Sequence, residues 1–168
     1  MAPVRTPSVT IRPATPADLA DVVELRLALL REYRDNRIYG RLRRDARERA
    51  ERLFAKQLAS PHEVIFLAHQ EGRAGGILRC LHSTGSPLLD PAEYGYISSV
   101  YVVPALRRSG VLRRLFDEAG RWCRERGIVE LRLHNAANNA TANAAWDALG
   151  FEVVEVLRVK SLDGTTPA

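Results

Sequence analysis

The sequence predicts an α/β domain: a mixed β-sheet with helices on both sides. Two observations carry this reading. Along the chain, the hydrophobic patterns run strand, helix, helix, three strands, helix, strand, helix, strand. Within that order, the strand–helix–strand unit from Tyr94 to His134 requires a parallel pair with a right-handed crossover, whereas the strands before it are joined by a hairpin and run antiparallel.

Val9 to Arg12 reads as a short first strand. Thr15-Pro16-Ala17-Asp18 announces a helix: Thr15 can cap, Pro16 fits the first helical position, and Asp18 can reach back to the cap. That helix is expected from Pro16 to Tyr33. A basic connector, Arg34 to Arg44, leads to a second helix from Asp45 to Leu58, with Ala46, Ala50, Leu53 and Leu58 as its apolar face. Glu63 to His69 is rich in β-formers, Glu71-Gly72-Arg73 turns, and Gly75 to His82 returns beside it. Tyr94 to Val103 is a further strand, stopped at Pro104. Gly110 to Arg126 repeats apolar residues at helical spacing and ends at Gly127. Ile128 to His134 is expected as a strand with Val129, Leu131 and Leu133 on one face. Ala140 to Leu149 is expected as a short helix capped by Asn139, and Phe151 to Val159 as a last strand. Residues 1–8 and 161–168 read as loose tails around one domain, 9–160.

A chain of 168 residues can bury a core of its own. No apolar run is long enough to span a membrane, and the first residues lack a signal-peptide pattern, so the expected location is the cytoplasm, with no membrane partner. Cys80 and Cys123, the two cysteines, are too few for a disulfide scaffold and sit in no metal-ligand cluster, so no metal is implied. The net charge of +5 comes almost wholly from arginine, and with the abundant alanines this suggests a GC-rich bacterial genome. The arginines gather at one helix start and are elsewhere mixed with carboxylates. That distribution argues against a nucleic-acid partner, which would need a continuous basic stripe.

The informative segment is Val100-Tyr101-Val102-Val103-Pro104-Ala105-Leu106-Arg107-Arg108-Ser109-Gly110-Val111-Leu112-Arg113. A strand breaks at proline, crosses a basic turn and enters a helix at Gly110. The first amides of a helix have no internal partner, and the macrodipole adds positive character there. Gly110 leaves the backbone unobstructed, and Arg107, Arg108, Arg113 and Arg114 surround it, so the turn is a seat for a pyrophosphate. A P-loop and a dinucleotide fingerprint are both absent.

This segment resembles the acetyl-CoA signature of the GNAT acyltransferases, Gln/Arg-x-x-Gly-x-Gly/Ala after strand-Pro, with Leu112 standing where the family prefers Gly or Ala. Asn139-Ala140-Thr141-Ala142-Asn143-Ala144-Ala145-Trp146-Asp147-Ala148-Leu149-Gly150-Phe151 is similar to the family's Asn-x-x-Ala-x-x-x-Tyr-x-x-Leu-Gly-Phe. The resemblance extends over nearly the whole chain, from about Val9 to Val159. It implies a single-domain, splayed sheet with acetyl-CoA entering the wedge between its parallel strands. The pantetheine arm would pair with the backbone around Val100 and Val102, and the phosphates would lie on Arg107, Arg108, Ser109, Gly110, Val111, Leu112 and Arg113. Asn139, Ala142, Asn143 and Trp146 would line the cofactor side of the short helix.

The implied reaction is direct attack of an amine on the thioester, with the Val102 amide polarising the carbonyl. Deprotonating a lysine-like amine at pH 7 costs roughly 4.6 kcal/mol, whereas releasing a thiolate costs about 2 kcal/mol, so the base matters more than the acid. Trp146 replaces the family's tyrosine acid, and the smaller term makes that tolerable. The strand before the signature carries no carboxylate, so Glu93 is the candidate base, acting through a water held by Tyr96 or Ser98. The resemblance also implies that Tyr33, Arg37 and Tyr39 form a lid over the acceptor, with His134 near the substrate. Dimerisation is common in the family. The expected function is N-acetylation of a primary amine on an unidentified small molecule or peptide. The rival reading is a non-catalytic acyl-CoA-binding or sensing domain on the same fold.

Overall fold

The computed structural model describes residues 8–163; residues 1–7 of the expected N-terminal tail and 164–168 of the C-terminal one lie outside that range. The chain forms two compact units, one up to His134 and a smaller one from Asn135.

The larger unit holds a five-stranded sheet in the order β1 (Val9–Pro13), β2 (Glu63–Gln70), β3 (Arg73–Thr84), β4 (Glu93–Val102), β5 (Leu131–Leu133). The first four strands are antiparallel, and β5 lies parallel to β4, as the crossover requires. On one face, helices α1 (Leu19–Glu32) and α2 (Ala46–Leu58) bury Val22, Val23, Leu25, Leu27, Leu29 and Phe54 with Ile65, Leu67, Ile77 and Tyr101. On the other, α3 (Val111–Arg124) buries Val111, Leu115, Phe116, Ala119 and Cys123. Cys80 and Cys123 meet there as free thiols, Sγ to Sγ 3.5 Å, and no disulfide joins them.

The helix start announced by Thr15 takes a different geometry. Pro16–Asp18 is a 3-10 turn and α1 begins at Leu19. Asp18 reaches back as expected, its carboxylate accepting from the Thr15 amide at 2.7 Å and the Thr15 hydroxyl at 3.0 Å, while Arg12 grips both carboxylate oxygens. In α2, Leu53 is 52% exposed and Phe54 takes the inward position, because the buried stripe runs one residue later than its aliphatic spelling suggests. β5 is shorter than expected, and Val129 faces solvent.

The smaller unit contains α4 (Ala140–Ala148). Asn139 caps it, its side chain accepting from the Ala142 amide at 3.0 Å. The last strand expected at Phe151 to Val159 is not formed: residues 151–160 are irregular, and Val153, Val154, Val156 and Leu157 are 70–79% exposed. Alternating β-branched residues supply strand propensity, but a strand also needs a neighbour to receive its hydrogen bonds.

Candidate functional site

The site is built around the second half of β4. Its pairing with β5 covers only Gly95, Tyr96 and Ile97. Beyond Ile97 that side of β4 has no ladder partner among the described residues, so its edge is open where the wedge is expected. On the β3 side, Arg79 faces Ser98 and Ile77 faces Tyr101, so β4 carries one extra residue between these pairs. Ser99, buried at φ 54°, absorbs it as a bulge. The Val103 amide donates to Gly75 O at 2.8 Å. Strand alternation then turns the amides of Val100 and Val102 to the open side.

Past Pro104, the chain makes a short 3-10 turn and reaches α3 through Arg108 (φ 61°) and Gly110 (φ 80°). An added Cβ at Gly110 would meet nothing, so glycine is required there by its left-handed backbone and not by crowding. No side chain caps α3, whose first intrahelical donor is Arg114, bonded to Gly110 O at 3.1 Å. Ser109 Oγ is turned inward, donating to Leu106 O at 2.6 Å. The amides of Val111 and Leu112 therefore face an uncapped, electropositive helix start flanked by the exposed Arg108. Leu112 is half-buried, which leaves its amide accessible to an anion while its side chain packs. These features fit a pyrophosphate.

Arg107 is placed differently from the expectation of a phosphate ligand. Its guanidinium bonds Glu32 at 2.6 Å and Val102 O at 2.8 Å, and it packs against the Tyr101 ring. It ties the signature turn to α1 and occupies the Val102 carbonyl, leaving the amide as that residue's open group.

Glu93 and its expected partners are not brought together. Period-two alternation puts Glu93 on the same face as Gly95 and Ile97, opposite Tyr96 and Ser98. Glu93 Oε1 lies 3.2 Å from His82 Nε2, without the angle of a hydrogen bond. Ser98 accepts from Arg79 at 3.2 Å, and Arg79 is in turn paired with Glu63. The relay expected from Glu93 through Tyr96 or Ser98 is thus corrected by strand geometry. Tyr96 is instead joined to His134, hydroxyl to Nδ1 at 2.9 Å. Burial pushes the Tyr96 hydroxyl up in pKa, with the neighbouring Tyr39 adding to it, so Tyr96 stays protonated and is suited to orient the imidazole.

Tyr33 and Tyr39 meet edge to face with centroids 5.7 Å apart, at the end of α1 and in the connector after it. Asn36 Oδ1 accepts from the amides of Ile38 and Tyr39, folding the connector into a compact turn that also carries Arg37. In the smaller unit, Asn143 donates to Ala137 O at 3.1 Å and accepts from Asn135, fastening the loop before α4. Ala142 lies in the first turn of α4, and Trp146 packs edge-on against Phe151 at 6.4 Å.

Sequence reasoning missed Arg26 and Arg79. Arg26 lies four residues after Val22 and seven before Tyr33, on the inward stripe of α1, and that spacing was its available signal. Burial lowers its pKa, and Tyr39, Arg79, Tyr96 and Tyr33 are the charged or polar groups that act on it through space.

Residues 21–151 match the model of the acetyltransferase (GNAT) family. An aminoglycoside N(6')-acetyltransferase type 1 of Stenotrophomonas maltophilia is 32% identical over 151 residues, covering 87% of this chain and 88% of that protein. The crystal structure of an aminoglycoside 6'-N-acetyltransferase from Acinetobacter haemolyticus superposes with a TM-score of 0.74 at 25% identity, over 90% of this chain and 97% of that one. A predicted acetyltransferase from Clostridium acetobutylicum, solved with acetyl-CoA, shares the fold with a TM-score of 0.76 at 19% identity, over 95% of this chain and the whole of that one. With the open edge of β4 beyond its short pairing with β5, the bulge at Ser99 and the uncapped start of α3, these matches establish that the chain belongs to the GNAT acetyltransferase family.

Proposed function

We propose that the protein transfers an acetyl group from acetyl-CoA to a primary amine of a small molecule, in a ternary complex, and that His134 is the base. The carrying observation is the continuous path from the open edge of β4, through the bulge at Ser99, to the uncapped start of α3. Acetyl-CoA supplies the activated acetyl group. Val100 and Val102 would hold its arm by backbone pairing, and the amides of Gly110, Val111, Leu112 and Arg113, with Arg108 and Ser109, would hold its phosphates. Arg107 would act as a brace. The Val102 amide would polarise the carbonyl. His134, oriented by Tyr96, would take the amine proton. Ser98 and Arg79 would order the floor of the acceptor site under the Tyr33–Tyr39 lid. Within the smaller unit, Asn139 and Asn143 would keep the start of α4 and the loop before it in shape, and Trp146, whose indole does not readily give up a proton, would not act as an acid. The aminoglycoside relatives support a small-molecule acceptor.

Free thiols at Cys80 and Cys123 support a reducing compartment such as the cytoplasm. No helix among the described residues is long and apolar enough to cross a membrane. The exposed apolar side chains of Val153, Val154, Val156 and Leu157 support a homodimer in which a second copy covers them.

The test is free-thiol release from acetyl-CoA across a panel of primary amines, with Gly110→Val as control. An L-residue at φ 80° costs about 1–2 kcal/mol, and its side chain obstructs the seat. The variant should remain folded and bind acetyl-CoA at least tenfold more weakly by calorimetry. Undiminished binding would remove the phosphate-seat assignment.

A further inference from the structure

Arg26 projects from the inward side of α1 and is half-buried. Among the described residues, no hydrogen bond or ion pair holds its guanidinium. Two turns further along the same face of α1 stands Tyr33, edge to face with Tyr39, and the groups whose charges act on the guanidinium are Tyr39, Arg79, Tyr96 and Tyr33. Arg79 is already committed to Glu63 and Ser98. Carboxylates on the nearby elements are also taken, Glu24 by Arg47 and Glu32 by Arg107, while Glu93 points to the opposite face of the sheet from Tyr96. Arg26 is thus a desolvated cation with no counter-ion. Burial lowers its pKa, but a guanidinium remains charged at any physiological pH. Uncompensated buried charge is destabilising in a folded chain and marks a place where a ligand supplies the partner.

We propose that Arg26 receives a carboxylate carried by the same acceptor molecule whose amine is acetylated. The planar fork of arginine matches a carboxylate through two parallel hydrogen bonds. Tyr33 and Tyr39 form an aromatic wall beside it, and Tyr96, in contact with His134, links the anion seat to the proposed base. The acceptor is therefore an amino-acid-like molecule. This departs from the aminoglycosides named for the relatives, whose several ammonium groups would be repelled by an unpaired guanidinium with Arg79 behind it. The proposal rests on the N-acetyltransferase reading and refines its acceptor.

The experiment compares the free L-amino acids with their methyl esters and with the aminoglycoside neamine, following thiol release. In parallel, thermal shift measures binding of N-acetyl-amino acids, which keep the carboxylate and cannot be acetylated again. For at least one amino acid, kcat/KM should exceed that of its ester by tenfold or more, through KM. Arg26→Met should reduce that ratio to near one, and Arg26→Lys should restore part of it. Calorimetric binding of acetyl-CoA shows that each variant is folded. If esters or neamine turn over as well as the acids and Arg26→Met leaves the ratio unchanged, the anion seat is overturned and the enzymatic reading stands. If no amine is acetylated but N-acetyl-amino acids stabilise the wild type and not Arg26→Met, the enzymatic reading fails and the seat stands. Absence of both acetylation and stabilisation overturns the proposal.

Discussion

At the scale of single residues, one step along a strand decides the chemistry. Glu93 and Tyr96 are three positions apart, an odd number, so a flat strand sends them to opposite faces. The sequence alone starts this strand at Tyr94 and leaves Glu93 free to turn; the pairing of Glu93 with Thr84 puts it in the strand and fixes its face. Glu93→Gln should therefore leave the pH–rate profile near that of the wild type, whereas His134→Gln should lower kcat/KM by about 10²–10⁴-fold, the usual range for removing a positioned general base. Equal losses in both variants would restore Glu93 as the base. Arg107 teaches a related lesson. Its place in the signature was plain in the sequence, but its partners Glu32 and the Val102 carbonyl come from 75 and five residues away, and only the folded chain selects them.

At the scale of elements, the connector after α1 is where sequence and structure inform each other most. Its composition reads as a solvated basic loop, yet Asn36 folds it into a tight turn that presents Tyr39 to Tyr33. Gly40 is pressed against the Arg34 and Asn36 carbonyls, where a Cβ would collide with backbone. Gly40→Val should thus displace the turn. Measured turnover should show KM for the amine rising several-fold while the affinity for acetyl-CoA, read by calorimetry, stays the same. A rise in both would mean that the connector supports the cofactor site as well. The element that failed to appear, the strand expected at Phe151 to Val159, shows the complementary limit: propensity was legible, but its partner was not.

At the scale of the whole molecule, Asp18 ties the first strand to the first helix. Hydrogen bonds from Arg12, opposed by burial and aided by Thr15, hold its carboxyl well below the usual carboxylate range. A depressed folded-state pKa contributes stability that is present above the unfolded value near 3.9 and is lost as pH falls below it toward the folded value. Asp18→Asn should lower stability by about 1.5–3 kcal/mol at pH 7, the range for charge-assisted hydrogen bonds. The difference from wild type should shrink in acid denaturation below about pH 4. A constant difference across that range would show that the Asp18 charge is not responsible. The exposed run at Val153 to Val159 bears on assembly. Replacing Val154 and Val156 with lysine should convert a dimer to a monomer in light scattering, and a wild type already monomeric at high concentration would remove the second copy as its cover.

The sequence by itself determined the element order as far as α4, the parallel crossover, the helix start at Gly110, the cap at Asn139 and the family. Each is written in short-range terms: spacing, a proline, a glycine, a capping side chain. Tertiary structure alone decided that β4 bulges at Ser99, that Arg107 is a brace, that Glu93 faces away from Tyr96, and that Arg26 stands unpaired among tyrosines. These depend on register and on partners distant in the chain, which a one-dimensional pattern does not encode, because burial and pairing are properties of the assembled sheet and helices.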